Sequence, residues 1–404
     1  MKILVLNAGS SSHKSCLFDL SQPSPDGAAP PPLWRASLDW THASGQVELS
    51  AQAGAASLQQ VLPITQRPEG LRAMLDTLVQ GPTQVLDQLQ EIAAVGHRVV
   101  HGGRDYSAAV RVDGAVKAAI RQLIPLAPAH NPANLEGIEA LEQILAGVPQ
   151  VALFDTAFHA TLPAAASTYP GPHDWLDQGI RRYGFHGISH GYVAQRAATL
   201  VGRQITDLKI LTCHLGNGCS LAAVKQGVSV DTTMGFTPLD GLMMGSRCGS
   251  LDPGILIHLI RQQGYDADQL DTLLNKQSGL KGVSGVSNDL RLVMAAMAAG
   301  NGQAALAIDL FIHRLCQEMG AMIASLAGLD VLVFTAGMGE NSPLIWQRAC
   351  QPFQYLGLRL REGELQRSGQ DQDIAAPDSS VGVWVIHTQE EWAIAQACLR
   401  LLQP

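Results

Sequence analysis

Four consecutive apolar residues, Ile3 to Leu6, open the chain, and a second apolar group, Cys16-Leu17-Phe18, follows a polar stretch. Short continuous apolar runs bounded by turn-forming residues read as buried strands. Between them lies Asn7-Ala8-Gly9-Ser10-Ser11-Ser12, with Lys14 just beyond. The pattern predicts a central strand, a tight turn and a returning strand. It recurs in Lys209-Ile210-Leu211-Thr212-Cys213-His214-Leu215-Gly216-Asn217-Gly218-Cys219-Ser220. Aligning Gly9 with Gly216 brings Lys2-Ile3-Leu4 onto Lys209-Ile210-Leu211 and Asn7 onto His214. Two hairpins in one register predict an internal duplication, with two domains facing each other across a cleft.

Further buried strands are expected at Val95 to Val100, Val151 to Phe154, Val331 to Phe334 and Val383 to Ile386. Helical spacing marks residues 66–92 (Leu71, Met74, Leu75, Leu78), the stretch through Leu135, Ile138, Leu141 and Ile144, and Ala304 to Ile323. A helix is also expected from Tyr192, and a last one opens with Glu390-Glu391 in its first turn. Leu126 to Pro132 reads as a rigid turn. Ser21 to Pro32, Gly241 to Pro253 and Leu280 to Arg291 read as loops. Strands alternating with helices place the chain in the α/β class.

At 404 residues the chain is too long for one ordinary core, so two domains are the default. It is 46% hydrophobic and 15% charged, which describes a compact soluble protein. The net charge of −8 comes without a basic stripe, which disfavours nucleic acid as a partner. Seven scattered cysteines, odd in number and without a C-x-x-C, argue for a reducing compartment rather than disulfides or zinc. No stretch reads as a signal peptide or membrane span, because Met319 to Phe334 is broken by Gly320, Gly328 and Asp330. The cytoplasm is the expected location.

The candidate chemistry sits at strand ends, where α/β sheets place their sites. The Gly9 turn offers hydroxyls and close backbone amides to an anion, or it is an ordinary polar β-turn. Arg98 stands inside an apolar strand, where an unpaired guanidinium is costly. It is either ion-paired to a carboxylate or an anchor for an anionic ligand. Asp155 ends the next strand. His186 and His190 lie in a glycine-rich stretch, Tyr183 to His190. Gly337-Met338-Gly339 after a strand is a Gly-x-Gly turn but not the dinucleotide fingerprint, since no third glycine follows at the right spacing. Ser342 is placed to cap the following helix with Pro343 at its first position. For Glu390 and Glu391 the helix dipole alone is a sufficient explanation of at least one.

Taken in order, LNAGSSSHK, GHRVVHGG, LAPAHNP, FDTAFH, RRYGFHGISH, HLGNGCS, MMGSRCGSLDP, LNKQSGL and FTAGMGENS resemble the motif series of the acetate kinase family over nearly the whole chain. The resemblance implies two duplicated ribonuclease-H-like domains of the actin and sugar-kinase type across a nucleotide cleft. The first would span 1–155 plus 388–404 and the second 156–387. It further implies reversible, Mg²⁺-dependent phosphoryl transfer from ATP to acetate, giving acetyl phosphate and ADP, with Mn²⁺ as an alternative metal and a homodimer as the assembly. Under it Asn7 and Glu390 lie near the metal, and Lys14 belongs with ATP. Arg98, Arg247, His186 and Asp155 are the catalytic set. His214, Leu215, Gly216, Asn217, Gly218, Asp289, Leu290, Arg291, Gly337, Met338, Gly339, Glu340 and Asn341 line the nucleotide. Val100, Phe185 and Pro238 form the acyl pocket.

A carboxylate acceptor is already ionised at neutral pH, with a pKa of about 4–5, so the problem is repulsion between anions rather than activation by a base. Guanidinium groups such as Arg98 and Arg247 suit that role because they grip planar anions bidentately. Asp155 is then expected to organise the metal shell or orient an arginine rather than to abstract a proton. Ala129 departs from the family's usual Leu. If it lines the acyl pocket, the extra room shifts preference toward propionate by about 1–3 kcal/mol. Ser250 replaces a usual Asp, Met338 an Ile, and His13 an apolar residue. A propionate kinase is therefore the alternative within the class, ahead of a butyrate kinase, whose family usually departs more in these motifs. A non-enzymatic ATP-binding module is the alternative outside it, though it would not need Arg98, Arg247 and His186 together.

Overall fold

The computed structural model describes residues 1–21, 28–41, 45–363 and 369–403. The chain divides into two compact units, Met1–Phe158 with Gln389–Pro404, and His159–Thr388. Within the loop expected at Ser21 to Pro32, residues 22–27 lie outside the described residues.

The first unit is built on strands β1 (Lys2–Ala8), β2 (Ser12–Asp19), β3 (Trp34–Asp39), β4 (Val47–Ala53), β5 (Ala56–Leu62), β6 (Ile92–Val99), β7 (Val110–Arg111) and β8 (Gln150–Phe154). They form one sheet in the order β5-β4-β3-β2-β1-β6-β8-β7. β1 runs antiparallel to β2 and parallel to β6, and β6 runs parallel to β8. Ile3, Leu4, Val5 and Leu6 are all fully buried, as a strand covered on both faces requires. The C-terminal helix Glu390–Leu402 buries Trp392, Ile394, Ala395 and Cys398. It packs so closely on β6 that a Cβ at Gly96 would stand 2.5 Å from Ile394 Cγ2 and 2.8 Å from Cys398 Sγ. Glycine is what permits that approach.

The second unit carries β9 (Lys209–Leu215), β10 (Cys219–Lys225), β11 (Val228–Thr232), β12 (Val331–Thr335), β13 (Gln372–Asp373) and β14 (Gly382–Val385). Their order is β11-β10-β9-β12-β14-β13. β9 is antiparallel to β10 and parallel to β12, which is parallel to β14. The run β11-β10-β9-β12-β14 therefore repeats β3-β2-β1-β6-β8 in order and in strand sense. Residues 9–11 separate the first pair of strands and 216–218 the second, so the hairpins match in register. The predicted duplication is present in the fold.

Several local expectations are corrected. The helical pattern over 66–92 yields only Arg67–Val79, because Gly81 adopts φ 80° and Pro82 follows it. The helix expected from Tyr192 begins at Gly187, and His186 takes the left-handed conformation just before it. Leu280 to Arg291 is not a continuous loop: Gly279–Ser284 is helical, and Asp289 caps a helix starting at Leu290. Asn131 already belongs to the helix Asn131–Ile144, which ends the rigid turn early. The Gly337-x-Gly339 segment lies within the short helix Ala336–Asn341 rather than in an open turn. Ser342 precedes Pro343 as expected, but its hydroxyl makes no capping bond.

Candidate active site

In the first unit the carboxyl ends of β1, β6 and β8 bring Asn7, Arg98 and Asp155 together. Arg98 donates from Nε to Asp155 Oδ1 at 3.1 Å and from Nη2 to Oδ2 at 2.6 Å, while Nη1 reaches Asn7 Oδ1 at 3.4 Å. Glu390 Oε2, from the first turn of the C-terminal helix, lies 4.0 Å from Arg98 Nε. The ion-pair reading of Arg98 holds here, since both oxygens of the 1%-exposed Asp155 side chain face the guanidinium. Burial opposes the Arg98 charge, but Asp155 and Glu390 outweigh it and raise its pKa above the ordinary value. Glu390 is pushed up to about 7, by burial first and then by Asp155 and Glu391, against the pull of Arg98 and Lys14. Lys14 is exposed and pairs across the hairpin with Asn7.

Two asparagines that the sequence reading passed over lock this cluster. Asn134 accepts from Val100 N at 3.1 Å and donates to Ala8 O at 2.7 Å, tying the ends of β6 and β1. Asn131 accepts from His101 N at 3.1 Å and donates to His101 O. Both lie in the first turn of the helix Asn131–Ile144, which begins inside LAPAHNP, so the motif acts here through Asn131 and through the helix start that places Asn134. Ala129 is exposed. Val100 is buried beside the cluster.

In the second unit the site gathers around the turn Gly216-Asn217-Gly218. His186 donates or accepts through Nδ1 with Ser220 Oγ at 2.9 Å, and the same hydroxyl lies 2.7 Å from His190 Nε2. His214 Nδ1 meets Ser189 Oγ at 2.8 Å, and Ser189 meets Thr388 Oγ1 at 2.9 Å. The His186 and His214 rings stack with centroids 4.1 Å apart and planes 20° from parallel. His186 has φ 56°, a left-handed conformation in which histidine is enriched among non-glycine residues. It is the N-cap of its helix by position, yet its ring makes no capping bond.

A Cβ added at Gly218 would stand 3.4 Å from Arg247 Nη1 and 3.5 Å from His186 Nε2. Arg247 and His186 therefore converge on this turn. Arg247 donates to the Pro238 carbonyl at 3.1 Å, and among the described residues no carboxylate lies within ion-pair distance of it. Burial lowers its pKa. Its loop is closed by Ser250, whose hydroxyl donates to Asp240 at 2.6 Å and accepts from Gly241 N at 3.0 Å. An Asp at position 250 would set a second carboxylate against Asp240. Phe185 is buried, and its carbonyl accepts from His159 Nε2 at 3.0 Å.

The remaining residues expected at the nucleotide differ in character. Asn217 meets Asn288 at 3.4 Å, and its carbonyl accepts from Gly245 N. Asp289 accepts from Arg291 N and pairs with its exposed guanidinium at 2.6 Å, while Leu290 and Leu215 are buried. Gly337 and Asn341 are exposed, Met338 is half-buried and Gly339 buried, just beyond β12. Glu340 turns inward: its carboxylate accepts from Ala336 N at 2.8 Å, from Thr388 N at 3.0 Å and pairs with His387 Nδ1. Ala336 has φ 64°, an uncommon conformation for alanine, and the Glu340 bond holds it there.

Compared with known proteins, the chain matches the family model described as the acetokinase family over residues 2–396. The chain belongs to that family. It is 58% identical over 404 residues to an acetate kinase of Cyanothece sp., covering 100% of this chain and 99% of the relative. It is 59% identical over 398 residues to one from Acaryochloris marina, covering 98% and 99%. Among solved structures, the acetate kinase of Porphyromonas gingivalis superposes with a TM-score of 0.90 at 38% identity, each chain covered in full. A propionate kinase from Francisella tularensis gives 0.88 at 37% identity, with 98% of each covered. The family assignment accounts for the duplicated fold and for a kinase as the class of enzyme.

Proposed function

We propose that this chain transfers the terminal phosphoryl group of ATP to acetate, reversibly, with acetyl phosphate and ADP as products. The observation that carries the proposal is Arg247. It is a partly buried cation with no carboxylate partner among the described residues, converging with His186 on the Gly218 turn. Such a cation is costly unless an anion completes it.

In the reaction a carboxylate oxygen attacks the γ-phosphorus in line, and the bond from that phosphorus to the oxygen kept by ADP breaks. No base is needed, because the acetate is already ionised. Asp155 orients Arg98 by engaging two of its nitrogens, and Arg98 in turn presents its remaining donors to the substrate anion. Arg247 and His186 meet the transferring phosphoryl oxygens. The exposed Gly337 and Asn341 and the backbone of Gly216 to Gly218 are assigned to the nucleotide, with Asp289 to Arg291. Glu340 serves that site through the backbone it holds. Lys14 is assigned to the phosphates.

A divalent cation fits the first cluster by its donor chemistry. Asp155, Glu390 and Asn7 offer only oxygen, and among the described residues no group of three or more His, Cys, Asp or Glu forms a cage. Mg²⁺ is typically bound this way, through one or two carboxylates plus waters and substrate phosphates, and Mn²⁺ accepts the same ligands. When bound, it would neutralise charge on the phosphates.

The finer assignments follow the same line. All seven cysteines are free, which supports a reducing cytoplasm. No helix among the described residues is long and apolar enough to cross a membrane. The helix Pro253–Gln263 buries none of its residues and leaves Ile255, Ile257 and Ile260 44%, 50% and 51% exposed, with Ile257 and Ile260 on one side and Ile255 on the other, apolar surface that a second copy in a homodimer would cover. The test is a hydroxamate assay for acyl phosphate with ATP, Mg²⁺ and acetate, propionate or butyrate in parallel. We expect acetate to give the highest kcat/KM. A clear preference for propionate would favour the second reading, in which Ala129 enlarges the pocket, and no acyl phosphate from any acid would leave a binding module.

A further inference from the structure

Ser220 bridges two histidines with one hydroxyl, at 2.9 Å from His186 Nδ1 and 2.7 Å from His190 Nε2. A hydroxyl has one proton to donate and lone pairs to accept. If it donates to one ring, the other ring must present an N–H to it. The protonation of the two histidines is therefore coupled. His190 is fully buried, and burial, with His159 and His214 adding, drives its pKa well below the ordinary value, so it stays neutral and carries one ring proton.

The direction of the chain is set at its inner end. His190 Nδ1 lies 2.7 Å from Thr212 Oγ1, and that hydroxyl donates to the Ala222 carbonyl at 3.3 Å. With its proton so placed, Thr212 can only accept from His190, which makes Nδ1 the protonated nitrogen. His190 Nε2 then accepts from Ser220, and Ser220 accepts from His186 Nδ1–H. The other nitrogen, His186 Nε2, faces the Gly218 turn. In the neutral ring it is an acceptor, and it becomes a donor only when the ring takes up a second proton.

We propose that Thr212, His190 and Ser220 are positioning residues that fix His186 in its Nδ1–H form, so that His186 meets the phosphoryl oxygens as an imidazolium cation rather than as a neutral donor. Titratable and charged groups facing it include His190 from its own helix, His214 stacked from β9 and Arg247 from the 241–253 loop. An anionic phosphate entering between these groups favours the protonated ring. The role given to His186 rests on the proposed acetate kinase reaction, whereas the tautomer does not.

The experiment is ¹⁵N NMR of the histidine rings, with His186 assigned by comparison with His186→Asn, alongside pH–rate profiles. Above its titration, wild-type His186 should show Nδ1 protonated and Nε2 bare. Thr212→Val does not touch His186 but removes the acceptor for His190 Nδ1–H. His190 should then protonate at Nε2, Ser220 should turn its proton outward, and His186 should switch to the Nε2–H form. In Ser220→Ala the fixed preference should be lost. Both variants should lower kcat by about 10- to 100-fold, as when a partner orienting a histidine ligand is removed, with KM for ATP unchanged. Each should also flatten the fall of kcat at high pH, since a neutral Nε2–H still donates. A wild-type His186 protonated at Nε2, or a Thr212→Val variant with the wild-type pattern, overturns the relay. If the hydroxamate assay detects no acyl phosphate, the reaction is refuted and the tautomer measurement still decides the relay.

Discussion

Arg247 gives the most discriminating test, because its proposed role predicts a large effect on activity and almost none on stability. In Arg247→Met the apolar stem is kept and the guanidinium removed. The loss is the hydrogen bond from a charged donor to the Pro238 carbonyl at 3.1 Å, with a long contact to Met244 Sδ at 3.9 Å, in the range of about 1.5–3 kcal/mol. The offset is relief from holding a partly buried cation with no carboxylate beside it among the described residues. Replacing buried ionic groups with apolar ones of similar size is neutral or stabilising by about 1–4 kcal/mol. The two nearly cancel, so thermal unfolding of the free protein should shift by no more than about 1 kcal/mol, or a few degrees in Tm. Activity should instead fall by about 10²- to 10³-fold, the effect of removing one preorganised donor from a developing charge. Stabilisation by ADP with acetyl phosphate in the same melts should also drop. Arg247→Lys should recover little, because a point charge does not reproduce the fork geometry. A variant that unfolds many degrees below wild type, or keeps activity within about tenfold of it, would refute the reasoning: Arg247 would then be structural or dispensable.

Gly96→Ala should cost about 1–3 kcal/mol, since its Cβ meets Ile394 and Cys398 at 2.5 and 2.8 Å. The strain would push the C-terminal helix, and Glu390 with it, off β6, so urea melts should show the loss and kinetics a raised metal requirement. Glu340→Gln should be mild, because an amide oxygen still accepts from Ala336 N or Thr388 N and the His387 partner is half exposed. Glu340→Ala should lose about 2–4 kcal/mol from the unmet backbone donors. Equal effects in the two variants would contradict that account. Acid should destabilise the fold early. Burial lowers His13, His97, His101 and His159 to about 4 from 6.5, so the unfolded chain binds protons that the folded one refuses. The stability is complete above pH 6.5 and is lost as pH falls toward 4, at up to about 3 kcal/mol per histidine. Chemical denaturation at pH 7 and pH 5 measures it, and equal midpoints would refute it.

The hairpins were legible because apolar runs and a glycine at a fixed offset are local features, and β9 and β10 repeat β1 and β2 within one register. Arg98 was legible as an anomaly, since an arginine in an apolar strand needs an explanation, and the structure supplies Asp155 from 57 residues away. The inner supports were not. Ser220 is 34 residues from His186, and Asn134 is 126 from Ala8, and nothing in the spacing of either pair marks a contact. The resemblance places Glu340 at the nucleotide, and what the residues around it do not show is that its carboxylate turns inward to the backbone N–H that the positive φ of Ala336 leaves to be satisfied. An isolated Asp or Glu beside glycines signals polarity without direction, and direction comes only from the backbone.

The two arginines also divide the electrostatics. Around Arg98 stand two carboxylates, Asp155 at 2.6 Å and Glu390 at 4.0 Å. When both are ionised, the cluster has an excess negative charge, and the raised pKa of Glu390 reports how burial and Asp155 resist that state. A group of this sign attracts a cation, and its oxygen donors suit a hard one. Around Arg247 the balance is reversed, because among the described residues no carboxylate lies within ion-pair distance and His186, stacked on His214, converges with it on the Gly218 turn. That group attracts an anion. By charge and donor type alone, the first cluster matches a hard cation and the second an anionic phosphate. The duplicated hairpins thus do different work from the same backbone: the first, ending at Asn7, belongs with the carboxylates, and the second, ending at His214 and Gly218, belongs with the cations.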